Sequence, residues 1–175
     1  MRGFLGVLLV LAACAAPQLS EGEQAARCVQ AFERYDRAVL VDPIRPGLLA
    51  SVTPGVPGIV SPRLGAESAL RQFACVLQPR DVPSTDALPA GPGTGADGAM
   101  VVHVALVSGN EAAAQLADGL QRAGYPVRTV FADRLGRRIF VGPLSEGAAQ
   151  QVTLALRAAG FDAAYPASRR MLNVR

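Results

Sequence analysis

Two rhythms of apolar residues run through this chain. Between residues 101 and 166 they alternate in an order that occurs twice. Each copy opens on a short apolar run. Val101, Val102, Val104, Leu106 and Val107 begin the first; Ile139, Phe140 and Val141, led by Arg138, begin the second. Such runs are β-rich and too short for an ordinary helix, so they predict strands over 101–107 and 138–142. A stripe at helical spacing follows each: Ala113, Leu116, Ala117, Leu120 and Ala123, then Ala149, Val152, Leu156 and Ala159. Asn110 and Ser145 stand at N-cap positions. Glu111 and Glu146 fall in the first turns, where the helix dipole favours a carboxylate. Gly124 and Gly160 stop the helices in the left-handed conformation, each followed by an aromatic residue, Tyr125 or Phe161. A second extended segment closes each copy, so the order is βαββαβ. Two helices on one face of a four-stranded sheet leave the other face open. By alternation Val101, His103 and Ala105 share one face of the first strand, and Val102, Val104 and Leu106 the other.

The preceding half is patterned more weakly. A helix is predicted over 22–41, with Cys28, Phe32, Tyr35 and Val39 along one side. A second is predicted over 66–78, with Leu70, Phe73, Ala74 and Leu77 as its stripe and Cys75 on it. Between them, residues 42–65 are apolar but broken by Pro43, Pro46, Pro54, Pro57 and Pro62, which predicts an irregular loop packed on the helix pair. Residues 79–99 are rich in Pro and Gly and read as a linker, able to reach about 70 Å if fully extended.

The first residues change the picture. Arg2 precedes an apolar stretch, 4–11, that is too short to span a bilayer, and Leu11, Ala12, Ala13 and Cys14 look like a bacterial lipobox. Residues 1–13 are then expected to be a lipoprotein signal peptide, with Cys14 the acylated residue that anchors the chain in a membrane; the alternative is an ordinary signal peptide cut near Ala13 or Ala16, which leaves the thiol unmodified. Ala15 follows the Cys, and no Asp stands there to signal inner-membrane retention, so an outer-membrane lipoprotein facing the periplasm is expected. Three cysteines occur in all; with Cys14 lipidated, Cys28 and Cys75 remain as a pair that can form a disulfide in an oxidising compartment. A small helical region, 14–78, gains most from such a staple, roughly 4 kcal/mol on loop-closure grounds.

Composition excludes more than it assigns. There is one His and no closely spaced Cys pair, so no metal is expected. No set of Ser, His and acid, no carboxylate pair and no phosphate loop is spaced for catalysis, and neither an enzyme nor a cofactor is expected. The formal charge of +3, all of its cations Arg, is too small to suggest nucleic acid. Residues 15–98 hold seven Arg against nine acids, whereas the tail, 168–175, is basic through Arg169, Arg170 and Arg175.

Val102 to Ser108, Ala123 to Val127, Arg138 to Leu144 and Ala159 to Ala163 together resemble the SPOR (sporulation-related repeat) family, over about 100–167. The resemblance implies an α+β domain, RNP-like or ferredoxin-like, with a four-stranded antiparallel sheet and two helices on one face. It also implies binding to peptidoglycan glycan strands stripped of stem peptides, through the sheet and its rims. Carried over residue by residue, the glycan-binding positions are His103, Ala105, Arg138 and Phe140. His103 stands where the family usually has Gln, Ala105 where it has Gly, Val107 where it has an aromatic, and Phe140 where it has an exposed polar residue. His103 supplies hydrogen bonds, Phe140 a stacking surface, and Arg138 a partner for a lactyl carboxylate. The expected role is cell division or envelope tethering. The alternative is an envelope scaffold whose SPOR-like domain binds a protein partner, such as a division protein, instead of glycan. An RNA-binding RRM has the same strand order, but the lipobox and the missing pair of base-stacking aromatics argue against it.

Overall fold

The computed structural model describes residues 20–41, 62–93 and 98–173. Cys14, the signal peptide and most of the Pro-broken loop lie outside the described residues. Among the described residues the fold is α+β, with four α-helices and a mixed sheet of five strands: α1 (Glu21–Val41), α2 (Pro62–Gln72), β1 (Val76–Leu77), β2 (Met100–Val107), α3 (Asn110–Arg122), β3 (Val127–Ala132), β4 (Gly136–Leu144), α4 (Glu146–Ala158) and β5 (Tyr165–Ser168). β2 and β4 pair antiparallel at the centre, and β3 flanks β4. The other edge of β2 is shared. β5 pairs antiparallel with its first half, and the two residues of β1 run parallel to Leu106 and Val107. The sheet is therefore not the four-stranded antiparallel one expected; the extra strand comes from the N-terminal half.

Both helix ends of the repeated unit close as the sequence predicts. Gly124 (φ 87°) and Gly160 (φ 93°) are left-handed. Tyr125 and Phe161 donate their backbone N–H groups to Leu120 and Leu156, five residues back, and bury their rings. Ser145 caps α4, its hydroxyl accepting from Ala148 N–H. Asn110 does not cap α3. It is the first helical residue, and its side-chain oxygen accepts from Arg137 Nε at 3.0 Å.

α2 departs from its predicted bounds. It starts at Pro62, which a first helical turn tolerates because its missing N–H would have no partner there. It stops at Gln72, because Ala74 takes a left-handed turn (φ 51°) and Cys75 N–H reaches back to Leu70 O at 2.9 Å. Cys75 thus follows the helix and leads into β1. It is joined to Cys28 of α1, with Cα atoms 5.4 Å apart.

The main difference concerns layers. α3 and α4 cover one face of the sheet, burying Val102, Val104, Ile139 and Val141 with Leu116, Leu120, Val152 and Leu156. The other face is not open. α1 and α2 cover it, packing Phe32, Tyr35, Val39 and Leu70 against Val101, Leu106, Phe140 and Tyr165. The predicted α1 stripe of Cys28, Phe32, Tyr35 and Val39 is this contact, and all four residues are buried. Residues 79–93, whose composition suggests a free tether, lie against the α3–α4 layer: Val82 and Leu88 pack on its core. Pro89 O accepts from the Tyr125 hydroxyl at 3.0 Å, and Gly91 and Gly93 donate to Ala123 and Gly124. Gly91 is required there, since a Cβ would come within 2.7 Å of the Gly124–Tyr125 backbone.

Candidate functional site

The side chains proposed for ligand binding meet on the face that α1 covers. β2 and β4 place His103 opposite Phe140, and Arg138 lies two residues from Phe140 on the same side of its strand. The strands bring these three groups together as predicted. All three are buried beneath α1: His103 and Phe140 fully, and Arg138 to 2% exposure. Phe140 is a core residue here, not an exposed stacking platform.

Ala105 is not with them. The β2–β4 register shifts between His103 and Ala105, and the extra residue of this bulge reverses the alternation. Ala105 therefore joins the α3–α4 core, while Leu106 turns to the α1 side. Ala105 also lines a cleft of about 240 Å³ beside the disulfide, with Phe32, Leu77 and Asp162 among its other walls.

Arg138 is held by a closed triangle of hydrogen bonds. Its Nη1 donates to Asp36 Oδ1 at 2.6 Å, and its Nη2 to the Tyr165 hydroxyl at 2.9 Å. That hydroxyl donates to Asp36 Oδ2 at 2.7 Å. The guanidinium also lies 4.8 Å from the centre of the Phe140 ring, 5.5 Å from that of Tyr35 and 5.6 Å from that of Phe32. Burial alone would lower the Arg138 pKa, but Tyr165 and Asp36 outweigh it and the net shift is upward. Burial pushes the Tyr165 hydroxyl well above its ordinary value and raises that of Tyr35, so both stay neutral. The carboxylate that answers Arg138 belongs to α1, 102 residues away in the chain.

His103 is enclosed by rings: Phe32 at 4.4 Å, Tyr165 at 5.1 Å and Phe140 at 5.3 Å between centroids. Neither of its nitrogens has a hydrogen-bond partner, and Arg138 Nε has none. Burial first, and the Arg138 charge second, hold the imidazole well below its usual value, so the ring is neutral.

Asp36, Phe32 and Tyr165 complete this cluster and were not among the predicted site residues. One signal for them exists in the sequence. Asp36 lies four residues after Phe32 and eight after Cys28, so a carboxylate interrupts the apolar side of a helix. Such a group needs a buried cation. Among the described residues no cluster of His, Cys, Asp or Glu is arranged to hold a metal, and no helix is long and apolar enough to cross a membrane. Comparison of the chain with protein-family models, with curated proteins and with solved structures gives no match.

Proposed function

We propose that this chain is an envelope lipoprotein, anchored to the outer membrane through acylated Cys14, and that its SPOR-like unit serves as a scaffold for a protein partner. Four strands of that unit, taken without β1, run in the order β5-β2-β4-β3 with every pair antiparallel, and both of its helices lie on one face. That arrangement is compatible with the ferredoxin-like fold the SPOR resemblance implies. The Cys28–Cys75 bond suits an oxidising periplasm. The observation that carries the scaffold reading is the burial of His103, Arg138 and Phe140 under α1. The face on which the family resemblance locates glycan is filled by the chain itself.

A second reading, peptidoglycan binding after α1 moves, draws on one specific contact. Asp36 gives Arg138 the carboxylate that a stripped glycan would otherwise offer, and the Phe32 ring lies against His103. Co-sedimentation of the full mature chain with purified sacculi, untreated or treated with an amidase, separates the two. The scaffold reading predicts that the protein stays in the supernatant with both. Retention that increases after amidase treatment would contradict it and establish the glycan reading.

A further inference from the structure

We propose that α1 is a releasable cover on the sheet, latched by Asp36 and Phe32 and unlatched by protonation of His103. The inference stands on the geometry of the covered face and does not depend on what binds there once it is bared.

The latch is incomplete in a specific way. Buried polar groups are ordinarily paired, because an unmet donor or acceptor keeps the full cost of its lost hydration. Both nitrogens of His103 and Nε of Arg138 go unmet in the closed state. Lifting α1 would give all three access to water. The cost is thus specific to closure, and packing of Phe32, Tyr35 and Val39 must outweigh it.

The charges around His103 make the balance sensitive to one proton. From β4 the Arg138 cation acts on it, and from β5 the ring of the neutral Tyr165 lies 5.1 Å away; from α1, Asp36 and Tyr35 lie against Arg138. On α2, Arg63 and Glu67 approach each other at 3.4 Å and act on Tyr35. Among the described residues Asp36 is the one carboxylate hydrogen-bonded to Arg138, and both of its oxygens are engaged, by Arg138 and Tyr165. A second cation on His103 would therefore be buried near the first, whose carboxylate partner is already fully engaged. Protonation favours the state in which His103 is hydrated, so opening grows as pH falls below about 6.5, the ordinary histidine value. The disulfide fixes Cys28 to the start of β1, so residues 29–41 can lift while the helix remains attached.

The test is hydrogen exchange of the full mature chain, disulfide intact, from pH 7.5 to 5.5 and corrected for intrinsic rates. This window spans histidine's ordinary value and stops above that of carboxylates. Protection of residues 29–40 should fall with pH, approaching tenfold per unit at the acid end for a single linked proton, while β2 and β4 keep theirs. His103→Phe and His103→Gln should each remove the pH dependence. Protection of α1 in the unaltered protein that does not vary with pH would overturn the proposal. So would pH dependence that persists in either variant, or loss spread equally over α1, β2 and β4.

Discussion

A guanidinium inside a sheet core is stable only while its charge is answered. Arg138 is answered by Asp36, and the Tyr165 hydroxyl ties the two together. Desolvation of the pair offsets most of its attraction, so its value lies less in net stability than in fixing where α1 sits. This gives an expected result for a double-mutant cycle read by urea unfolding. Asp36→Leu strands a buried cation, and Arg138→Met strands a carboxylate; each should cost about 3–5 kcal/mol. The double variant should lose less than the sum of the two by at least about 2 kcal/mol, because neither charge is then left alone. Strict additivity would mean that the two groups do not interact in solution.

Elements with local causes were legible in the sequence. Gly124, Gly160 and Ser145 act on their own turns, and the strands of β2 and β4 follow from their apolar runs. Elements that owe their form to distant partners were not. The bulge in β2 is set by pairing with β4, and one extra residue was enough to move Ala105 to the opposite face. β1 is two residues long, and Val76 and Leu77 lie in a segment whose periodicity also suits a helix. Residues 79–93 hold so much Pro and Gly that composition alone suggests free coil. Their glycines instead permit close backbone approach to the end of α3. Gly91→Ala should therefore detach this strap. Limited proteolysis would show faster cleavage within residues 79–93 while the helices and central strands stay protected. Cleavage no faster than in the unaltered chain would mean that the strap is not held at Gly91.

At the scale of the whole molecule, a central sheet is covered on both faces. One cover comes from the repeated unit, where the sequence predicts it. The other comes from the N-terminal half, and no local pattern announces that the apolar stripe of α1 docks on strands more than sixty residues further along the chain. The disulfide between Cys28 and Cys75, legible from cysteine parity, joins α1 to the start of β1, and β1 in turn adds to the sheet. The cluster of His103, Arg138 and Phe140 is thus assembled as anticipated but sits within a core.

Phe140 separates the two states of that face most directly. An exposed stacking residue can be truncated with little effect on folding, whereas a fully buried ring cannot. Thermal unfolding of Phe140→Ala should show a loss of about 3–5 kcal/mol, a fall in Tm on the order of 10 °C. A Tm unchanged from that of the unaltered protein would place Phe140 on an open face and contradict the closed arrangement described for α1.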